Sequence, residues 1–387
     1  MEKIKLFIFF ILINFLSVKA QEELQNFGAL KIHDNGGIGF HSNLINNGIF
    51  DDNYGIAGFY SNDDLYITGA FMPIFNDIEV VLNNNLNLEV SVGVTNHSNF
   101  ISGDIKTPKD RLDITFDYTE SGFYSGETEL SKINGYSSIT NLKEFTFPVG
   151  DEVKIRPARI ESININQIAK CAYFHENPST PSTFNNSFNT ENRTVFLLDV
   201  TTFEYWDLDS EQLSTVNLEW DIGSHLDVML TDLENLTVVG WSKKNQTWES
   251  LGNTFYTGDL VSGNITSDYF IPDDYEVITF GKSISIDSQT ADNLNLDNFI
   301  ISPNGDGSND YFVIDGVVLS PNNLLQIFNR WGRVVYEKSN YNNEFEGTSN
   351  NSSTILTDRK LPDGVYFYII NLYDIQLRHQ GFIYINN

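Results

Sequence analysis

Gly37-Ile38-Gly39-Phe40, Gly48-Ile49-Phe50 and Gly55-Ile56-Ala57-Gly58-Phe59 are short apolar tracts separated by Asn, Asp and Gly. Phe40, Phe50 and Phe59 recur at roughly ten-residue spacing, as strands of 4–6 residues do when turned by residues that tolerate φ > 0. Leu86-Asn87-Leu88-Glu89-Val90-Ser91-Val92-Gly93-Val94 alternates apolar with polar positions, and Asp113-Ile114-Thr115-Phe116-Asp117-Tyr118 does so again. A period of two is the mark of a half-buried strand. Helix signals are nearly absent. Residues 21–150 are therefore expected to form either a β-solenoid, each coil stacking on the next, or a β-sandwich with many hairpins.

Phe145-Thr146-Phe147-Pro148-Val149-Gly150-Asp151 runs a strand into Pro and Gly, which ends regular pairing, and Arg156-Pro157 follows. This short phrase resembles one that closes repeat-like regions in large secreted Bacteroidota proteins, and it sets a boundary near residue 150. Residues 151–281 also read as strands. Thr194–Val200, Val216–Trp220 and Glu276–Gly281 have strand length, and Leu236–Trp241 pairs with Gln246–Gly252 across Ser242-Lys243-Lys244-Asn245. A β-sandwich is expected there. Residues 282–297 are polar and rich in Asp and Asn, as a linker is.

Composition narrows the function classes. The chain has 387 residues, 41% hydrophobic and 13% aromatic, enough for two or three packed domains. A formal net charge of −29 opposes binding to nucleic acid, whose phosphates select clustered Lys and Arg. Lys3 and Lys5, the apolar run Leu6–Leu16 and Ser17-Val18-Lys19-Ala20 predict a signal peptide over residues 1–20, cleaved before Gln21. The apolar run is shorter than the roughly 20 residues a membrane span needs, so no transmembrane segment is expected in the mature chain. Cys171, the one cysteine, lies far from the cleavage junction, so neither a lipid anchor there nor an intramolecular disulfide is expected.

Catalytic motifs are scarce. The chain has no Gly-x-Ser-x-Gly elbow, His-Glu-x-x-His pair or phosphate-binding Gly-rich loop. Cys171 and His175 are four apart in a stretch that reads as a strand, where they cannot bond as nucleophile and base. Glu204, Asp207, Asp209, Glu219 and Asp221 could supply the two carboxylates of glycoside hydrolysis, although such pairs arise by chance in so acidic a chain. Trp206, Trp220, Trp241 and Trp248 offer either a stacking groove for sugar or core packing.

Beyond residue 298 the punctuation is densest. Leu325 and Ile327 alternate, the motif residues Phe328 and Asn329 follow, Arg330-Trp331-Gly332 makes the turn, and Val334 and Tyr336 alternate on the return. Leu361-Pro362-Asp363-Gly364 is a turn, after which Tyr366, Tyr368 and Ile370 share a face. About seven strands are expected, in a small immunoglobulin-like β-sandwich whose last strand, Gly381–Ile385, nearly reaches the end of the sequence. Asn304, Gly305, Asp306, Gly307, Asn309 and Asp310 form a loop whose oxygens could wrap calcium, or could fold a tight turn without it; no other cofactor is expected.

Residues 298–387 resemble the gliding-motility-associated C-terminal domain family, the type B sorting domain of the type IX secretion system. The resemblance rests on the 304–310 loop, the 328–332 turn and the 362–366 segment. It implies Sec export, recognition by the type IX machinery including an outer-membrane accessory barrel, and delivery to the cell surface or beyond. Two features depart from the family pattern: the ending Ile385-Asn386-Asn387, where a basic residue is frequent, and Phe345-Glu346-Gly347, where Asp is usual. For residues 21–281 the expectation is a non-catalytic adhesive or structural role; the alternative is a polysaccharide-binding or polysaccharide-degrading protein with a glycan ligand.

Overall fold

The computed structural model describes residues 23–194, 197–283, 299–314, 317, 320–350, 360–373 and 377–387. The expected signal peptide lies outside them, as does the expected linker apart from residues 282 and 283. The fold is all-β, and the N-terminal alternative resolves in favour of the solenoid, which makes about six turns.

Its two faces are parallel sheets built from alternate short strands of the sequence. On one face Leu65, Leu86, Ile105, Ile133 and Val149 are aligned partners, each buried. On the other, Phe40, Phe59, Val80 and Phe100 align in the same way. Stacked strands lie about 4.8 Å apart, so one buried position per rung yields a continuous apolar column. The Phe40 and Phe59 rings stack with centroids 4.8 Å apart, and Phe50 meets Phe75 edge-on at 5.3 Å.

Where the chain leaves a strand to turn the corner, backbone groups lose their ladder partners. Buried asparagines replace them. Asn26 Nδ2 donates to Asn46 Oδ1 (2.8 Å), and Asn46 Nδ2 donates to the Phe71 carbonyl (2.9 Å). Asn53 Oδ1 accepts from the Ile32 amide (2.7 Å), while its Nδ2 donates to the Ile74 carbonyl (2.7 Å). Each bond but the first links a side chain with a backbone group, and all four join successive rungs. At another corner Gly103 has φ +83°, and a Cβ there would stand 2.2 Å from the Asn84 carbonyl oxygen.

The parallel stack ends in an antiparallel turn-back. Ser137–Phe147 pairs with the 17-residue strand Ala158–Phe174, which then forks. Ala158–Ser162 pairs with Ser214–Leu218, and Ala169–Phe174 pairs with Tyr205–Ser210. At the fork Asn166 Oδ1 accepts from Ser162 (3.1 Å) and Ser210 (2.6 Å), and Asn166 Nδ2 donates to the Leu142 carbonyl (2.9 Å). A long parallel sheet is thus closed at this edge instead of being left open to another chain. One 16-stranded sheet runs from the solenoid into the middle region, and one apolar cluster extends from Ile32 to Phe280. The expected hairpin forms from Leu236–Ser242 and Trp248–Gly252, with Trp241 opposite Trp248.

The C-terminal domain is a five-stranded sheet in the order Phe299–Ile301, Leu377–Ile385, Gly364–Leu372, Asn323–Phe328 and Val334–Ser339. Its first pair is parallel and the others antiparallel. Tyr366, Tyr368 and Ile370 share the buried face, where Phe312, Ile314, Tyr341, Phe345 and Leu361 from the intervening loops cover them. Among the described residues no helix is long and apolar enough to cross a membrane.

Candidate functional sites

The motifs of the C-terminal domain fold as three hydrogen-bonded turns. In the first, both Asp310 carboxylate oxygens accept backbone amides, from Gly305 (2.7 Å) and Gly307 (2.8 Å). These two bonds hold the Asp310 carboxyl below the usual carboxylate range. Asn304 Oδ1 accepts from the Asp306 amide (2.9 Å), and Asp306 Oδ1 from the Ser308 amide (2.8 Å). Asn309 sits in the left-handed region at φ 54°, and its carbonyl accepts from the Ser302 amide (2.7 Å). The oxygens considered for calcium therefore organise the loop's own backbone, as Asx turns do. No group of three or more His, Cys, Asp or Glu that could hold a metal occurs among the described residues. Asp310→Ala is expected to free the Gly305 and Gly307 amides and raise their hydrogen exchange about tenfold, with the strands unaffected. Unchanged exchange at both glycines would show that Asp310 does not hold the loop.

In the second turn Asn329 Oδ1 accepts from the Trp331 and Arg333 amides, each at 3.0 Å, and Gly332 adopts φ +74°. The Arg330 guanidinium lies 4.2 Å from the centroid of the exposed Trp331 ring. In the third, the Tyr366 hydroxyl donates to the Pro362 carbonyl (2.9 Å), and Gly364 has φ +147°. Asp363 Oδ1 accepts from both the amide (3.0 Å) and the Nδ2 (2.9 Å) of Asn387, which lowers its pKa. Asn387 Nδ2 also donates to the Leu361 carbonyl (2.8 Å), so Asn387 clamps this turn to the last strand. Its role was not legible beforehand, because an Asn at the end of the sequence carries no local signal for so distant a partner. Phe328, the remaining motif residue, pairs with Phe367 on the neighbouring strand.

The middle region does not gather its carboxylates in one cleft. Glu204 is fully buried; its Oε2 accepts from Arg156 Nε (3.1 Å) and the Tyr173 hydroxyl (2.6 Å), while Oε1 has no hydrogen-bond partner among the described residues. Arg156 also pairs with Asp221, which Lys154 Nζ bonds at 2.8 Å. Partial burial works against the Asp221 charge, yet hydrogen bonds from Lys154 and Arg156 bring its pKa down to about 2. Burial likewise opposes the Arg156 charge, but Glu204, Tyr173 and Asp221 outweigh it and raise its pKa. Glu219 lies on the exposed face of its strand.

Asp207 is buried and accepts a 2.6 Å bond from the Tyr136 hydroxyl. Burial, then the Asp209 charge, push its pKa up to about 7. Of these five, Asp209 alone faces an open cleft, of about 440 Å³, where Lys170 and Lys243 stand 3.8 and 4.0 Å from it and Glu211 and Asp273 also line the wall. Trp206, Trp220, Trp241 and Trp248 all belong to the core, and the indoles of 206, 220 and 248 donate to the carbonyls of Arg156, Asp259 and Phe188. They form no sugar platform. Cys171 is buried, with burial pushing its thiol pKa well up, whereas the His175 ring is partly exposed and faces Asp151 at 3.6 Å. The structure does not bring the two together as nucleophile and base.

No curated protein matches this chain, and no solved structure does. A family model does match: CHU_C, the type IX secretion signal domain, aligns with residues 294–385, the segment that holds the three turns and the five-stranded sheet. The chain carries a type IX secretion signal domain, joined in sequence to an all-β region that begins with a solenoid.

Proposed function

We propose that residues 23–283 are the cargo of this signal and serve a non-catalytic structural or adhesive role. The signal implies secretion by the type IX system, contact with its machinery, and arrival at the cell surface or outside the cell. In this proposal a Sec signal at 1–20 starts the route, 21–150 and 151–281 are the solenoid and its closing β region, 282–297 is a linker, and 298–387 is read by the machinery, including its outer-membrane accessory barrel. The observation that carries the non-catalytic role is the scatter of the carboxylates. Glu204 and Asp221 are tied up on Arg156 and Asp207 is sealed under Tyr136, so no two of the five carboxylates named from the sequence share a cleft; Asp209 meets one, which Glu211 and Asp273 also line beside Lys170 and Lys243. Glycoside hydrolysis needs two carboxylates about 5–9.5 Å apart across one substrate.

One observation favours a glycan as the surface ligand. A groove of about 380 Å³ crosses several rungs of the solenoid, with the exposed Tyr54 ring beside Asp52, Asn76, Asn96 and Glu120. An aromatic ring flanked by amides and carboxylates is the chemistry that holds a sugar's apolar face and hydroxyls. Glycan-array binding that Tyr54→Ala removes would support it; turnover of a polysaccharide abolished by one carboxylate substitution would overturn the non-catalytic role. For export, the full chain is expected outside cells with a working type IX system, and to stay periplasmic when residues 294–387 are deleted. A reporter bearing residues 294–387 behind a signal peptide should follow the full chain. Retention of both would refute export by this signal.

A further inference from the structure

One end of the outward face of the C-terminal sheet is apolar although the protein is strongly acidic. The other end carries Asn371, Arg378 and Gln380, and the two remaining strands add Gln326 and Glu337, which share a 2.7 Å hydrogen bond. Strand alternation sends Tyr366, Tyr368 and Ile370 inward and Val365, Phe367 and Ile369 outward. Register places Ile300, Tyr384 and Val365 in one row across three strands, and Phe382, Phe367 and Phe328 in the next. Ile300 is 66% exposed, Phe367 51%, Val365 45%, Phe382 40% and Tyr384 39%. Directly opposed side chains lie about 4.5–5.5 Å apart at Cβ and successive rows about 7 Å apart, so these residues form one continuous patch. The outward positions of the three strands, 300, 365, 367, 369, 371, 378, 380, 382 and 384, include no carboxylate, and their one charge is Arg378. The whole chain carries 52 acidic against 23 basic residues. Contiguous exposed apolar area rimmed by polar groups marks an interaction surface.

We propose that this face is the surface through which the type IX secretion machinery reads the domain. The occupant is an apolar patch of a machinery component, with a carboxylate set against Arg378. The proposal rests on the export function above, which supplies the partner; charge complementarity supplies its chemistry. A partner with carboxylates is repelled by the acidic cargo and meets no like charge on these nine positions, which gives specificity as well as contact. The buried face cannot serve, because its tyrosines and isoleucines are the domain's own core.

The test uses the full chain in a type IX-competent strain. Phe367→Gln with Tyr384→Gln, and separately Arg378→Glu, should each lower the secreted fraction about tenfold, as loss of a central contact does, while Arg378→Lys is tolerated. Thermal melting of the purified chains should match the unmodified protein, since the altered side chains face solvent. Secretion of both variants at the normal level overturns the surface while leaving export intact. Failure of the unmodified chain to leave the cell removes the export function and this surface together. Should a variant melt early, a photo-cross-linking residue at position 367 decides instead. Capture of a machinery component supports the proposal; capture of a second copy of this chain, or no capture during export, overturns it.

Discussion

Arg156→Ala is expected to destabilise the solenoid and its closing region by about 3–5 kcal/mol, the cost of leaving a buried carboxylate without its cation. Glu204 has no exposed surface, and one of its oxygens already lacks a hydrogen-bond partner among the described residues. Removing Arg156 would leave the Tyr173 hydroxyl as the remaining donor to the other oxygen. The loss should lower the melting temperature on the order of 10 °C, at about 2–4 °C per kcal/mol for a unit of this size. Adding Glu204→Gln to Arg156→Ala should restore part of the loss, because a neutral amide needs no counter-charge. That recovery separates electrostatics from packing, since both variants lack the Arg156 side chain. A loss below about 1 kcal/mol, or no recovery with Glu204→Gln, would mean that water compensates Glu204. The pair joins residue 156, in the loop that leads into Ala158–Phe174, to residue 204, just before Tyr205–Ser210. Disruption should therefore loosen the closing strands before the distant N-terminal rungs, as nearest-neighbour coupling in stacked repeats requires.

Much of this architecture was legible wherever the signal is local. Of the recurring Phe40, Phe50 and Phe59, the first and last stack on adjacent rungs, while Phe50 lies off the strands against Phe75. The alternation at 86–94 places Leu86, Leu88, Val92 and Val94 inside, but on two strands of different sheets, Leu86–Leu88 and Val92–Ser102, and not on one. The turns at Arg330-Trp331-Gly332 and Pro362-Asp363-Gly364 formed as the residue types dictate, with Asn329 adding the side-chain cap to the first. The rung period looked irregular because it is: aligned positions step from 65 to 86, 105, 133 and 149. On this face corner loops absorb those differences without shifting the register, whereas on the other Ile74–Leu82 and Val92–Ser102 shift register twice. The turn-back strand Ala158–Phe174 was harder to foresee, because its partners lie up to 60 residues away and its side chains alternate imperfectly through the Asn166 fork. Burial of the tryptophans depends on which sheet face meets the core, which alternation alone does not choose. For the same reason the carboxylates at 204, 207 and 221 could be named as residues but not as an ion pair with Arg156 or a bond to Tyr136.

Asp207 makes the second large effect one of pH. An ordinary Asp titrates near 3.8, whereas burial and the Asp209 charge push Asp207 up to about 7 in the folded protein, against the lowering effects of Tyr136, Lys243 and Lys170. Between those values the unfolded chain has released this proton and the folded chain still holds it. Stability from this group is thus complete below about pH 4 and is lost as pH rises toward 7. At about 1.4 kcal/mol per pH unit, the interval amounts to about 4–5 kcal/mol. Asp209, also raised chiefly by burial, acts in the same direction. Asp221, held down at about 2, acts oppositely and in a separate window: its contribution is present above about pH 4 and lost as the medium is acidified toward 2. Asp207→Asn removes the proton without removing the acceptor, because the Asn carbonyl can still take the Tyr136 hydroxyl bond. Denaturant unfolding across pH 4 to 8 should show a decline for the unmodified chain and a much flatter profile for Asp207→Asn. At pH 8 the variant should be the more stable by about 2–4 kcal/mol, less whatever its new N–H groups cost if they find no acceptor. Parallel profiles would mean that Asp207 is ionised in the folded state, with Lys170 and Lys243 screening it. In that case a buried negative charge would stand behind the cleft that Asp209, Glu211 and Asp273 line, and would strengthen the field that Lys170 and Lys243 offset.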